Sequence, residues 1–139
     1  PGDRGLHAFS LSMFTAGIPW VMALQQYGAC VVPVGAELGS RRVLEFGQFV
    51  KPRALTCTPL FAEYLIDKAP EVIGKPIRDL SVELVICAGE PGVGLPEIRR
   101  RILVATVQAV AGRGQLGIEL GGRDLLGRLL RPEIQKTGV

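Results

Sequence analysis

Three short apolar runs punctuate the sequence, at Ala29–Val34, Ala54–Thr58 and Val82–Ala88. They are rich in β-branched residues or cysteine and are bounded by glycine or proline, which is typical of strands buried on both faces. Their starts recur at intervals of about 25 to 30 residues, the length of a βαβ unit. The runs therefore predict a parallel sheet.

Apolar residues recur with helical spacing between and after these runs. The pattern predicts helices over 41–50, 60–69 and 95–107, with Pro96 in the first turn of the last one. The polar stretch Pro70–Ser81 is interpreted as a connection. We predict an α/β fold: a partial parallel sheet of about three to four strands with helices on its faces, the first element being a helix. The expected core stripes contain Val43, Leu44, Phe46, Phe49 and Val50, then Phe61, Tyr64, Leu65 and Ala69, then Leu95, Ile98, Ile102, Leu103 and Val107.

An uncharged stretch from Ala8 to Ala36 is long enough to span a bilayer. Pro19, Gly28 and neighbouring glutamines interrupt it, however, and its second half has the composition of a strand. A buried helix followed by a buried strand accounts for the stretch without lipid, so no membrane partner is predicted. The start around Asp3 also lacks the pattern of a secretory leader.

Charge and cysteine content narrow the classes of partner. The net charge of +3, from 16 basic and 13 acidic residues, is too mild and too dispersed to predict nucleic-acid binding, and 99–101 is interpreted as a solvated helix face. Cys30, Cys57 and Cys87 lie in apolar runs without metal-ligand spacing, so we expect buried, reduced thiols in a cytoplasmic protein and no metal site. The single histidine, His7, is expected at the surface.

The loop after the third run is the best candidate site in the sequence. It reads Cys87-Ala88-Gly89-Glu90-Pro91-Gly92 and leads into the helix that starts near Leu95. Ligands of open parallel sheets bind beyond the carboxyl ends of the strands, and small residues let a flat ring approach the backbone. The loop is a poor phosphate cradle because Glu90 would repel phosphate and no P-loop lysine follows. Taken alone, it fits an ordinary strand-to-helix turn better.

Four segments in order carry a resemblance to a known family: Met13–Gly17, Gly28–Pro33, Thr58–Ala62 and Ala88–Pro91. Together with the arginine-rich helix at 98–101, they resemble the phenylacetate–coenzyme A ligases, which are adenylate-forming enzymes. The resemblance covers residues 1–103 and implies that they are part of the large N-terminal adenylation domain. It leaves 104–139 as a divergent Gly/Arg/Leu-rich tail, for which a reading-frame change is one hypothesis.

The resemblance implies an activity and the residues that serve it. A carboxylic acid would be joined to ATP as an acyl-adenylate, with Mg²⁺, and then transferred to coenzyme A. Two sets of residues follow from the matched segments. The nucleotide wall would be Ala88, Gly89, Glu90 and Pro91, and the acyl pocket would be bordered by Phe14, Thr15, Gly17 and Met22 on a helix from Phe14 to Gln26.

Departures from the family limit these expectations. The sequence contains no Ser/Thr/Gly-rich phosphate loop, no Tyr-Gly-x-Thr/Ser-Glu motif and no matching catalytic lysine, so no catalytic or metal residue is assigned. Glu119 and Lys136 lie in no matching context. The family's His-Tyr-Gly is replaced by Val21-Met22-Ala23, which puts phenylacetate in doubt as substrate. We therefore expect the chain alone to be inactive.

Two further interpretations stay open at this stage. One is a non-catalytic α/β module that binds a nucleotide or an acyl group. The other is an unrelated flavodoxin-like domain, which a sheet order unlike that of adenylating enzymes would favour. For a ligase fragment, an exposed sheet edge and apolar surface are expected where the missing parts pack, and they would promote self-association.

Overall fold

The computed structural model describes residues 2–106, in which strands and helices alternate along the chain. The strands are parallel and form one sheet in the order β2-β1-β3-β4. This is the α/β fold with a parallel sheet and helices that the sequence predicts. Its elements are β1 (Arg4–His7), α1 (Ile18–Gln26), β2 (Cys30–Pro33), α2 (Gly39–Val50), β3 (Ala54–Cys57), α3 (Pro59–Ile73), β4 (Leu84–Cys87) and α4 (Pro96–Thr106). Of the predicted tail, 104–139, the first three residues continue α4, and the rest lies outside the described residues.

Strand β1 is the element that the sequence did not predict. It lies inside the sheet, where Leu6 pairs with Val32 of β2 and with Leu55 of β3. Leu6 is its only strongly apolar residue, so the hydrophobic pattern alone gives no strand signal. The expectation that the chain begins with a helix, and that His7 lies at the surface, was wrong: His7 is fully buried in this strand.

One face of the sheet is covered by α2, α3 and α4. Alternate strand residues point to this face, because successive side chains of a strand project to opposite sides. A single core forms there, in which the large side chains Leu44, Leu65 and Ile102 are almost completely buried. An exposed ion bridge from Arg101 to Glu63 and Asp67 joins α4 to α3. The strand side chains in this core are Leu6, Leu55, Cys57, Val85 and Cys87.

Among the helices of the described residues, α1 is the one that covers the opposite face. Strand residues such as Val31, Thr56 and Ile86 point to this side, and Leu24 of α1 packs above them. Between α1 and the amino-terminal half of the sheet lies a mostly apolar cavity of about 140 Å³. The two faces of the sheet are therefore unequally filled.

The helices depart from their predicted bounds in two places. Helix α1 begins at Ile18, not at Phe14, because Gly17 takes a non-helical conformation at its N-cap and Pro19 follows in the first turn. Helix α3 continues through Pro70 to Ile73, and Ile77 is buried beyond it, so Pro70–Ser81 is more than a polar connection.

Four side chains of the predicted core stripes lie at the surface, and one of them is Leu95, which is 57% exposed. Phe49 is 87% exposed on α2, where Val43 and Leu44 form the buried stripe instead. Phe46 and Tyr64 are also exposed. Cys30 is exposed because β2 is at the edge of the described sheet. Within the described residues, none of the helices combines the length and the apolar character that crossing a membrane requires.

Candidate functional site

The strand order predicts a ligand-binding crevice between β1 and β3. The chain runs from β1 outward to β2 and then returns past β1 to β3, so the direction of winding reverses there. In open parallel sheets, ligands bind outside the carboxyl ends of the strands at such a reversal. The loops that leave the sheet at this point are 8–17 after β1 and Thr58 after β3. The order 2-1-3-4 also occurs in flavodoxin-like folds, so it does not by itself separate the two interpretations.

Phe14 and Gly89, which the sequence assigned to different parts of the site, meet at this crevice. A Cβ atom placed on Gly89 would lie 3.3 Å from Cζ of Phe14 and 3.7 Å from Cγ2 of Thr58. Gly89 has a φ of +86°, a left-handed conformation that favours glycine. The loop after β4 therefore passes close to the edge of an aromatic ring carried by the loop after β1.

Glu90 holds the loop after β4 against the start of α3. Its carboxylate accepts a hydrogen bond from the backbone N–H of Leu60, 3.1 Å away. Thr58 caps the same helix by accepting from Phe61 N at 3.3 Å. A carboxylate at a helix N-terminus is favoured by the helix dipole and by the free N–H groups. Glu90 thus has a local structural partner, and its carboxylate is directed to α3.

A close backbone approach supports the same arrangement. The short 3₁₀ turn Pro91–Gly94 follows Glu90, and a Cβ on Gly92 would come within 2.9 Å of Cβ of Pro59. Only glycine lets the turn rest directly on the first turn of α3. Pro91 is exposed at the start of this turn, and Ala88 is half-buried before it. The four predicted nucleotide-wall residues, 88–91, thus form one continuous surface segment.

The loop after β1 is closed on itself around Gly17. The Gly17 N–H donates to the Phe14 carbonyl at 2.8 Å, and a Cβ on Gly17 would lie 2.6 Å from the Ser10 carbonyl oxygen. Phe9, which is buried, packs against Phe14 with ring centroids 5.8 Å apart and against Trp20 at 5.5 Å. The aromatic side chains fix one side of the loop while Phe14 keeps an exposed edge.

Glu37 fixes the other side of this loop, and no pattern in the sequence points to this contact. Its carboxylate oxygen accepts from the backbone N–H groups of Leu11, at 2.7 Å, and Ser12, at 3.3 Å. The hydroxyl groups of Ser10 and Ser12 donate to the same oxygen. These donors, the Ser10 hydroxyl above all, lower the pKa of Glu37 to about 2.

The remaining predicted acyl-pocket residues are spread over a wider surface. Thr15 is exposed in the loop and Met22 is 55% exposed on α1, whereas Gly17 is buried. The structure therefore brings Phe14 and Gly17 together at the crevice and leaves Thr15 and Met22 facing outward. Within residues 2–106, no group of three metal-ligating side chains could hold an ion.

Two buried groups lie beneath the crevice. His7 shares a hydrogen bond of 2.8 Å between its Nδ1 and the Thr56 hydroxyl. Burial lowers the pKa of His7, and the nearby Ala16 backbone and Glu37 carboxylate oppose this shift. Cys57 and Cys87 are register partners at the ends of β3 and β4, and contact with the Cys87 thiol together with burial raises the pKa of Cys57 well above its usual value. Cys57 is therefore a poor nucleophile.

The fold and the crevice together define a class of protein, the α/β proteins in which ligands bind at the carboxyl edge of a parallel sheet. Comparison with solved structures narrows this class. The chain is similar to 2-hydroxyisobutyryl-CoA ligase, an adenylate-forming acyl-CoA ligase, in an open conformation with 2-HIB-AMP and CoA (TM-score 0.71, 27% identity, 76% of this chain and 23% of the ligase). The chain matches no protein-family model and no curated protein.

Other states of the same ligase give the same result. In the thioesterification state with 2-HIB-AMP and CoA, the TM-score is 0.71 at 27% identity, over 76% of this chain and 22% of the ligase. In the postadenylation state with 2-HIB-AMP, the TM-score is 0.70 at 27% identity over the same shares. The chain thus spans less than a quarter of the length of the ligases that it matches.

Proposed function

We propose that residues 1–103 are part of the N-terminal adenylation domain of an ATP-dependent acid–CoA ligase. Such an enzyme joins a carboxylic acid to AMP and then transfers the acyl group to coenzyme A. One observation carries the proposal: the similarity, at a TM-score of 0.71, to a ligase solved with an acyl-adenylate and CoA. The ordered sequence segments that resemble phenylacetate–CoA ligases support the same class.

The crevice residues have a definite task in this proposal. The Ala88–Pro91 segment is the wall for the adenine ring, because its glycine admits a flat group close to the backbone. Phe14, which touches this segment at Gly89, separates the nucleotide from the acyl group. These residues bind and orient the reactants, and orientation is a large part of catalysis when two molecules must react.

The chain by itself is proposed to be inactive. Adenylation requires positive charge held around the phosphates in the transition state. Mg²⁺ would supply part of that charge in the whole enzyme, but no cluster of ligands for it occurs in the described part of the chain. We therefore propose binding without turnover. The free thiols of Cys57 and Cys87 fit a cytoplasmic protein.

The identity of the acid is a separate proposal. Met22 and its neighbours stand where phenylacetate ligases carry His-Tyr-Gly, so an acid other than phenylacetate is proposed. Phe14 offers an aromatic edge to the acyl group, and Met22 offers a flexible apolar side chain. A small panel of acyl-adenylates tests this point directly.

Binding can be tested with ¹⁵N-labelled chain by NMR. AMP and non-hydrolysable acyl-sulfamoyl-adenosines carrying phenylacetyl or 2-hydroxyisobutyryl groups are titrated separately. We expect AMP to shift the amide signals of 88–91, and the acyl analogues to shift those of 14–17 as well. Gly89→Val should weaken both by about tenfold or more, because a Cβ there meets Phe14 and the left-handed φ is strained.

A matched control is available at a distant glycine. Gly74 also has a positive φ but ends α3 with open space around it, so Gly74→Ala should leave ligand shifts unchanged. The proposal is contradicted if millimolar AMP moves no amide signal at 88–91, or if the shifts concentrate on α2. If the pure chain catalysed ATP–pyrophosphate exchange, the proposal that it is inactive would be contradicted.

A further inference from the structure

Glu37 and the Ser10–Ser12 segment form a contact that joins two loops at the carboxyl edge of the sheet. Glu37 lies in the connection between β2 and α2, and the serines lie in the loop after β1. One carboxylate oxygen receives two backbone N–H groups and two hydroxyl groups from this short segment. No other carboxylate in the described residues gathers as many donors from a single segment.

The connection that carries Glu37 is shaped to bring it there. Gly35 has a φ of +73°, and a Cβ at this position would lie 2.5 Å from the second carboxylate oxygen of Glu37 and 3.1 Å from Cδ1 of Leu11. Any larger residue would therefore push the carboxylate or Leu11 away. The glycine, the carboxylate and the Ser10–Ser12 segment fit together as one unit.

The contact between Glu37 and Ser10–Ser12 lies close to Phe14 in the sequence, so it restricts where the Phe14 side chain can lie. Ser12 is two residues before Phe14, and the intervening Met13 is fully exposed with a φ of +28°. Such a residue makes no packing contact that could hold the loop. The loop is thus fixed at Ser10–Ser12 by Glu37, at Gly17 by its hydrogen bond to the Phe14 carbonyl, and at Phe14 by packing against Phe9.

We propose that Glu37 is a positioning residue, whose carboxylate holds the Ser10–Ser12 segment so that the Phe14 ring stands against Gly89. Glu37 touches no reacting group; it acts through Phe14. The consequence for ligands rests on the proposed function, because Phe14 then lies between nucleotide and acyl group. The geometric statement does not depend on that function.

The charge of the Glu37 carboxylate and its shape can each contribute to holding the Ser10–Ser12 segment, and two variants separate these contributions. Hydrogen bonds to an ionised carboxylate are about twice as strong as those between neutral groups. Glu37→Gln keeps the shape and one acceptor oxygen but loses the charge, whereas Glu37→Ala removes every acceptor. Glu45→Gln is the matched control, because Glu45 is an acidic residue on α2 that contacts only Arg41 and Arg42.

The first measurement follows the loop itself in the ¹⁵N-labelled chain. In Glu37→Ala we expect the NOE between the Phe14 ring and the Gly89 α-protons to disappear. Hydrogen exchange at Leu11 and Ser12 should accelerate by about tenfold or more, because each N–H loses its acceptor. Glu37→Gln should give a smaller acceleration, and Glu45→Gln none. Persistence of the NOE in Glu37→Ala overturns the proposal.

The second measurement is the affinity for AMP and for an acyl-sulfamoyl-adenosine. We expect Glu37→Ala to weaken the acyl analogue by about tenfold and AMP by much less, since a displaced Phe14 disturbs the acyl side first. Equal loss for both ligands indicates general destabilisation and overturns the positioning role. If the unaltered chain binds neither ligand, the proposed function fails, while the NOE still decides whether Glu37 positions Phe14.

Discussion

The two faces of the sheet differ in how completely they are covered. On one face α2, α3 and α4 enclose side chains such as Leu65 and Ile102, which have no exposed surface. On the other, α1 covers the sheet and leaves a cavity of about 140 Å³ beside Leu24. Protein interiors normally have few voids larger than a water molecule. We therefore expect the first face to contribute more to the free energy of unfolding than the second.

This difference also locates the candidate site. The loop after β1 belongs to the incompletely covered face and the start of α3 to the well-packed one, and Phe14 meets Gly89 where they join. The well-packed side thus carries the proposed nucleotide wall, where the Glu90 carboxylate accepts from Leu60 N at the start of α3 and Thr58 caps the same helix. The other side supplies a loop whose position depends on a few polar contacts. Sites combine rigid scaffolds with loops in this way.

The two faces can be compared by replacing one leucine on each, and this comparison should give the greatest loss of stability. Leu65→Ala on α3 should lower the free energy of unfolding by about 2–5 kcal/mol, because it leaves a cavity in a packed core. Leu24→Ala on α1 should cost about 1 kcal/mol or less, since this half-buried leucine already borders a cavity. Urea unfolding followed by circular dichroism measures both. Equal losses would show that the two faces contribute alike.

A second comparison uses two glycines on the α1 side. Gly17→Ala places a Cβ 2.6 Å from the Ser10 carbonyl oxygen and should destabilise the chain by about 1–3 kcal/mol. Gly5→Ala, in β1, has open space around the new Cβ and should stabilise it by about 0.5–1 kcal/mol.

Thermal unfolding of both variants and of the unaltered chain shows whether each substitution raises or lowers the stability. The two variants test the packing of the α1 side at two places, because atoms crowd a Cβ at Gly17 in the loop and none lies within 4 Å of a Cβ at Gly5 in the strand. A destabilised Gly5→Ala chain would mean that the cavity beside β1 does not exist in solution.

The sequence predicts the strands that are apolar on both faces and misses the one that is not. Runs such as Ala54–Thr58 and Val82–Ala88 are recognised because burial on two sides requires continuous apolar residues. In β1, the residues Gly5 and His7 face the α1 side, where small and polar groups are tolerated above a cavity. Strand β1 is held by its pairing with β2 and β3, so its own residues need not show the apolar pattern that predicts a strand.

The candidate site divides in the same way. The position of Ala88–Pro91 after β4 could be predicted because a loop after a strand is defined by local sequence, while its role in binding stays a prediction. The role of Glu37 could not, because its partners at Ser10–Ser12 lie over 20 residues away and are joined to it only by the fold. The start of α1 was also misplaced, since Phe14 and Thr15 are compatible with a helix and only the Gly17 conformation excludes it.

The smallest expected effect is a pH dependence that comes from His7. Burial lowers its pKa in the folded chain below the ordinary value of 6.5. As the pH falls below 6.5, the unfolded chain binds a proton that the folded chain resists, so the unfolded state is favoured. The free energy of unfolding should thus be constant above about pH 7 and decline below it, by at most about 1.4 kcal/mol per pH unit for one proton.

Urea unfolding between pH 5 and 8 measures this decline, and His7→Asn is the control. An asparagine can still accept a hydrogen bond from the Thr56 hydroxyl but does not titrate, so its curve should be flat in this range. His7 is the single histidine of the chain, and Glu37, with a pKa of about 2, loses its contribution only as the pH falls below its ordinary value of 4.5. A decline that persists in His7→Asn would assign the acid sensitivity to other groups and remove the evidence that His7 is buried on the α1 face.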